Sequence, residues 1–169
     1  MTEYSSIVNE NDEEIGKAVY EEAVAKKPTR RIVHVLIFNS EGKMALQMRS
    51  KHKSFRPEYW CTSVGGHVRF GENYKEAAIR EMQEEIGIEK EPEFLGKHHC
   101  SDGNGQEMFL SVFKLVFGGP FQINPEEVER IEFFSMDVID EMIKNGEKFH
   151  PELLFLLKRF YANNEKEND

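Results

Sequence analysis

The chain has 169 residues, of which 39% are hydrophobic and 31% charged, with a formal net charge of -9. That length and composition suit one globular domain with enough apolar residues for a core. The acidic balance argues against a general binder of nucleic-acid polymers or membrane surfaces, since both reward a basic face, and leaves room for a small anionic substrate held locally by a cation.

The N-terminal stretch MTEYSSIVNENDEE is polar and acidic, without the apolar segment of a secretory leader, and no apolar run approaches the roughly 18 residues of a membrane span. Cys61 and Cys100 lack CxxC spacing, and with His98 and His99 they match no usual zinc pattern, so a cytoplasmic protein with reduced thiols is expected. IVNENDEEIGK has apolar ends around a polar turn and predicts a hairpin; YEEAVAKK predicts a short helix stopped by Pro28. RIVHVLIF, rich in β-branched residues, predicts a buried strand. KMALQM alternates Met44, Leu46 and Met48 on one face and predicts a half-buried strand paired with the one before it.

RSKHKSFRPEYW reads as a loop that concentrates Arg49, Lys51, His52, Lys53 and Arg56. WCTSV reads as a strand, followed by Gly65-Gly66 and a brief extended HVRF. A helix is predicted from Asn73 to Ile86, then strands at EFLGKHHC, QEMFLSVFKLVF and IEFF. The last of these follows an irregular loop, GGPFQINPEEVE. MDVIDEMIKN predicts a helix between a Ser135 cap and a Gly146 stop, and HPELLFLLKRFY a final helix with Pro151 in its first turn. Residues 1–28 thus read as a hairpin-and-helix extension packed on the domain, 29–161 as the domain, and 162–169 as a disordered tail. The elements do not alternate as regular βαβ units, so helices packed on a curved mixed sheet are expected.

The stretch GENYKEAAIREMQEEIG gathers five glutamates and an arginine, four of the glutamates on what reads as one helix. Asn73 and Glu76 can form a capping box, and Gly87 can supply the left-handed stop. Ala78, Met82 and Ile86, with Ile79 beside them, form the buried stripe. Glu81, Glu84 and Glu85 fall on the adjoining stripe, and Arg80 can reach Glu76 and Glu84. A solvated acidic face would carry such a run at little cost. These carboxylates, however, border the apolar stripe, and a double glycine just upstream allows close backbone approach to a ligand. The alternative is a hard-cation site, since Mg²⁺ takes oxygen ligands and is commonly shared between carboxylates and substrate phosphates.

From Gly66 the residues GHVRFGENYKEAAIREMQEEIGI resemble the Nudix box: Gly66, Glu72, Arg80, Glu81, Met82, Glu84, Glu85, Gly87 and Ile88 fill every fixed position. YWCTSVGG resembles the Trp-containing strand before the box. The resemblance implies an α/β fold of the Nudix type, an α/β/α sandwich with a curved mixed sheet between helices. It implies hydrolysis of a nucleoside diphosphate linked to another moiety, with Mg²⁺ or Mn²⁺. By position, Glu84, Glu85 and the Gly66 carbonyl would be metal ligands, and Glu81 a ligand or the group that takes a proton from the attacking water. Arg80 would orient the glutamates, and Glu72 would support the loop or the second metal shell. Nudix proteins often use a glutamate on a later loop as base. INPEEVER offers Glu126, Glu127 and Glu129, of which Glu127 is favoured by its offset from the next strand.

Around the box, Arg49, Lys51, Lys53 and Arg56 are candidates for recruiting phosphates or a terminal acidic group, and His67 directly follows Gly66. Phe55, Tyr59 and Phe109 are candidates for stacking on a base, whereas Trp60 reads as core. Two other readings are an isopentenyl-diphosphate isomerase-like enzyme and a catalytically silent nucleotide-binding module. The isomerase needs a cysteine immediately before the Gly-His pair, where Gly65 stands. The N-terminal hairpin offers a contact for a homodimer.

Overall fold

The computed structural model describes residues 1–161, and the tail expected over 162–169 lies outside the described residues. Nine strands form one sheet: β1 (Ser5–Val8), β2 (Glu14–Ala18), β3 (Arg30–Phe38), β4 (Met44–Arg49), β5 (Trp60–Cys61), β6 (Val64–His67), β7 (Glu93–Ser101), β8 (Glu107–Val116) and β9 (Val128–Phe134). The helices are α1 (Tyr20–Lys26), α2 (Tyr74–Ile86), α3 (Met136–Lys144) and α4 (Pro151–Phe160).

Strand β3 is the axis. It runs parallel to β8 along its whole length, from Arg30↔Met108 to Phe38↔Val116. Its other edge pairs antiparallel with β6 from Ile32↔His67 to Val35↔Val64. β7 pairs outside β8, and the β1–β2 hairpin reaches β3 at Ile7↔Arg30. The sheet is therefore mixed. No helix among the described residues is long and apolar enough to cross a membrane.

Side chains of β3 alternate between two layers, as strand geometry requires. Val33, Val35 and Ile37 pack with Val64, Val68, Ala77, Ala78, Met82 and Ile86 under α2. Leu36 and Phe38 pack with Trp60, Ile139, Met142, Leu153 and Leu156 under α3 and α4. Each fully buried Leu or Ile contributes about 1.5–3 kcal/mol, so both faces of the strand are anchored and its register is fixed. The result is the expected α/β/α sandwich.

The structure corrects three local expectations. β4 meets β3 only at Phe38↔Met44; most of it pairs with β9, from Met44↔Phe134 to Arg49↔Val128. β4 is also buried on both faces from Met44 to Gln47, not half-buried. WCTSV is two strands, not one: β5 joins β4, and β6 joins β3. The cause lies in the hydroxyls between them. Ser63 Oγ accepts from Ile37 N at 2.8 Å and donates to Ala45 O at 2.6 Å, bridging β3 and β4 where their backbones part. Thr62 Oγ1 donates to Val64 O at 2.9 Å. Short polar side chains that bond backbone in this way compete with a continuous ladder.

The hairpin predicted near the N-terminus is present, and its turn is tied to the domain through Asp12. This buried carboxylate accepts from Arg31 Nε at 2.7 Å, Lys97 Nζ at 2.6 Å and the Tyr74 hydroxyl at 3.0 Å. Helix α2 has the predicted capping box: Asn73 accepts from Glu76 N and Glu76 from Asn73 N, both at 2.9 Å, and Gly87 closes the helix with φ 69°. Ser135 caps α3 as expected, and Gly146 follows that helix with φ 79°.

Candidate active site

Arg80 organises the acids of α2. Its Nε and Nη2 donate to the two oxygens of Glu72 at 2.8 and 2.9 Å, a bidentate pair. Its Nη1 donates to Glu81 at 2.6 Å and Glu84 at 3.1 Å, and Nη2 also donates to the His67 carbonyl at 2.9 Å. A planar guanidinium suits such forked recognition, which a lysine could not reproduce. The expected Arg80–Glu76 contact does not form, because Glu76 is engaged in the capping box. Arg69 adds a second cation, donating to Glu84 at 3.1 Å. Glu72 sits below the usual carboxylate range: burial raises it, but the Arg80 bonds and the Arg69 amide outweigh that.

Glu85 points elsewhere. It is buried, and its Oε2 accepts from Gln47 Nε2 at 2.7 Å and from the Gly65 amide at 3.4 Å. Burial first, then the charges of Glu81 and Glu127, push its pKa up to about 8. Glu81 rises to about 7, mainly through burial, with Glu84 adding to it against the pull of Arg80. The like charges of Glu81 and Glu84 are thus held by arginines, and that of Glu85 by Gln47 and a backbone amide. Among the described residues, no three His, Cys, Asp or Glu side chains converge tightly enough to enclose a metal ion.

The donor set still fits a hard divalent cation. It is made of carboxylate oxygens, with Glu85 buried and without a cationic partner among the described residues and Glu81 half-buried, a condition that a bound cation would relieve. Gly66 is the second observation: a Cβ there would stand 2.2 Å from the Glu81 carboxyl, so the strand and the acid approach as closely as only glycine permits.

The remaining candidates fall in three places. Glu127 lies near Glu85, since its charge contributes to the raised pKa there, and it pairs with Lys53 Nζ at 2.5 Å. The Asn124 amide donates to Glu85 O at 2.9 Å, which anchors this loop against the end of α2. Lys51 is exposed and lies toward Glu129, to which its amide donates at 3.5 Å. His67, opposite Ile32 of β3, belongs to the other face of the sheet, whereas Arg49 and Arg56 are engaged within their own loop. Arg49 donates to the Phe55 carbonyl at 2.8 and 3.1 Å, and the Arg56 guanidinium lies 5.2 Å from the Phe55 ring and 5.4 Å from Tyr59. His67 lines that face half-buried, and burial pushes it down to about 4, with Arg30 adding to the shift. Phe109 is buried, whereas Phe55 is exposed.

Sequence reasoning missed Gln47, His34, Arg69 and Glu152. Gln47 and His34 did carry a signal, each being a polar residue inside an otherwise apolar buried strand.

Comparison with known proteins agrees with this geometry. The NUDIX domain family matches residues 28–157, and the chain belongs to that family. It is 30% identical to the uncharacterized Nudix hydrolase YfcD of Escherichia coli K12, over 98% of this chain and 90% of that one. A Yersinia pestis Nudix hydrolase is 28% identical over 99% and 91%. Among solved structures, DR0079 from Deinococcus radiodurans superposes with a TM-score of 0.80 at 28% identity, covering 94% of this chain and 99% of that one. The MutT protein from Methanosarcina mazei gives 0.67 at 26% identity, over 83% and 99%. The protein is accordingly a hydrolase of phosphorus-containing acid anhydrides that acts on small molecules.

Proposed function

We propose that the protein cleaves a diphosphate bond in a nucleoside diphosphate linked to another moiety, with Mg²⁺ or Mn²⁺ held by Glu81, Glu84, Glu85 and the Gly66 carbonyl. The observation that carries this reading is the half-buried Glu81 carboxyl standing against Gly66, which leaves no room for a side chain, with the buried Glu85 carboxylate beside the next amide, that of Gly65. Such an ion, when bound, neutralises phosphate oxygens and makes a water easier to deprotonate. The chain's own residues supply positioning and proton transfer. Arg80 fixes Glu81 and Glu84 from one side. Glu81 or Glu127 accepts the proton of the attacking water, whose oxygen bonds to phosphorus while the bridging P–O bond breaks and its electron pair leaves with the departing phosphate. Arg49, Arg56 and His67 serve substrate binding, and Lys51 recruits phosphates from the rim.

The isomerase reading receives no support from Cys61, whose thiol is pushed up to about 12 by burial and stays protonated. A silent binding module would be expected to lack box carboxylates, and none is missing here. The test is a phosphate- and nucleotide-release screen over nucleoside triphosphates, nucleotide sugars, dinucleoside polyphosphates and related diphosphates, with Mg²⁺ and Mn²⁺. Turnover of at least one compound is expected, with Glu84→Gln and Glu85→Gln each losing about 10²-fold or more in rate while melting like the parent. Unchanged rates in both variants would remove these residues from the mechanism.

A further inference from the structure

The β1–β2 hairpin precedes the family domain, yet it supplies polar partners to the turn that carries the first glutamate of the box. Residues 69–72 form that turn. Glu72 N donates to Arg69 O at 3.0 Å, and Gly71 takes the third position with φ 81°, where glycine is favoured. Such a turn leaves its two central amides without partners inside it. Phe70 N donates instead to the carbonyl of Tyr4, just before β1, at 2.9 Å. Gly71 N donates to Glu14 Oε2, on β2, at 3.1 Å. The same oxygen accepts from Ser6 Oγ of β1 at 2.7 Å, and Ser6 is fully buried, so the carboxylate is tied down as it reaches the turn. Ser6 N also donates to Val68 O at 3.0 Å, which lays β1 along the chain entering the turn. On the far side, the hydroxyl of Tyr74, the first residue of α2, donates to both Asp12 oxygens at 3.0 Å.

The turn is linked to the acids of α2. Arg69 N donates to Glu72 Oε2 at 3.0 Å, and Glu72 holds Arg80 through both of its oxygens. Arg80 in turn holds Glu81 and Glu84. A continuous run of bonds leads from Glu14 through the Gly71 amide and Glu72 to those two acids. An exposed glutamate on an edge strand would ordinarily point into water. This one reaches an amide 57 positions away. Water could satisfy an exposed turn amide at little cost, so the bond contributes position more than solvation, and its charged acceptor makes it stronger than a neutral one.

We infer that Glu14 is a positioning residue of the enzyme: through the Gly71 amide it sets the turn, and with it the Glu72–Arg80 clamp on Glu81 and Glu84. This role rests on the reading above of those acids as the cation site, and it adds to that site a residue from outside the family domain.

The test is Mn²⁺ binding to the full chain without substrate, read by electron paramagnetic resonance of the free ion, together with amide hydrogen exchange followed by NMR. Glu14→Ala should weaken Mn²⁺ binding by at least about fivefold, toward the low end of what residues behind the ligands cost. It should also speed exchange of the Arg69, Gly71 and Glu72 amides together. Glu14→Gln keeps an oxygen that can accept from both Ser6 and Gly71, so it should return Mn²⁺ affinity to within about twofold of the parent. Ile15→Ala, at an exposed neighbour on the same strand, should move neither readout. A loss below the fivefold margin in Glu14→Ala, a Gln variant no better than the Ala variant, or an equal loss in Ile15→Ala overturns the role of Glu14. A parent chain that binds no Mn²⁺ would refute the cation reading alone. Exchange then decides for Glu14: acceleration at all three amides sustains its hold on the turn, and acceleration confined to Gly71 overturns it.

Discussion

Gly65 and Gly66 are neighbours on one strand, and they serve opposite faces of the sheet. A side chain on Gly66 would meet the Glu81 carboxyl at 2.2 Å, on the α2 side; one on Gly65 would meet the His34 ring at 3.0 Å, on the α4 side. The two faces solve the same electrostatic problem differently. On the α2 side, Glu72, Glu81 and Glu84 share two arginines, and burial pushes the pKa values of Glu81 and Glu85 up. On the α4 side, the Glu152 carboxylate lies 2.7 Å from His34 Nε2, and burial pushes His67 and His150 down to about 4. The first face is left short of positive charge, which suits a cation; the second holds a carboxylate beside an imidazole, with the Arg30 Nε unpaired among the described residues.

The strongest way to break this contrast is to remove Arg80. Its side chain is 16% exposed, as are 14% and 13% of Glu72 and Glu81. Arg80→Gln would leave Glu81 without a partner and Glu72 with only the Arg69 amide, and breaking a buried pair costs about 3–5 kcal/mol. Denaturant unfolding should show a loss of that order. Arg80→Lys should recover only part of it, because an ammonium cannot bridge Glu72 and Glu81 together. A change below about 1 kcal/mol would mean that the acids do not depend on this clamp.

The same contrast explains what could be read from the sequence. The α2 acids lie within one turn or two of a single helix, so spacing alone placed Glu81, Glu84, Glu85 and Arg80 together, with the capping box and Gly87 stop around them. The α4 cluster is assembled from β3, β6, the Thr62 turn and the start of α4, with His34 and Glu152 separated by 118 positions. No local pattern encodes such a meeting. The split of WCTSV was equally hidden, because it depends on the Ser63 hydroxyl finding the backbones of Ile37 and Ala45, residues distant in the chain.

The α4 side should be the one that fails in acid. His150 caps α4, its Nδ1 accepting from Glu152 N at 3.2 Å, and burial first, then His34, Arg49 and Arg56, push it down to about 4. Its folded pKa is below the unfolded value of about 6.5, so the unfolded chain takes up the proton first. The stability this group contributes is complete above about pH 6.5 and is lost as pH falls toward 4; protonated Nδ1 can no longer accept. The loss should be roughly 2–3 kcal/mol across that window. His150→Asn, which keeps a capping acceptor, should flatten the dependence of melting temperature on pH between 7 and 5 by a corresponding part, leaving the share due to His67. An unaltered pH slope would exclude His150 as its source.

The glycine pair gives a graded comparison. Gly66→Ala forces a methyl onto the Glu81 carboxyl and should cost about 1–3 kcal/mol by overpacking. Gly65→Ala meets its nearest atom at 3.0 Å, and His34 can yield by a few tenths of an ångström, so it should cost less. Equal losses in thermal melts of the two variants would mean that the close approach at Glu81 relaxes freely.

The smallest effect separates the two helices by their caps. Asn73 accepts from Glu76 N just as His150 accepts from Glu152 N, but an amide does not titrate. Asn73→Ala should therefore destabilise by about 1 kcal/mol, seen as a melting shift of roughly 2–4 °C for a chain of this size. Because the lost group carries no proton, the shift should be equal at pH 7 and pH 5, in contrast to His150→Asn. A shift at Asn73 that grows on acidification would show that α2 and α4 unfold as one unit, with protonation on the far face weakening both.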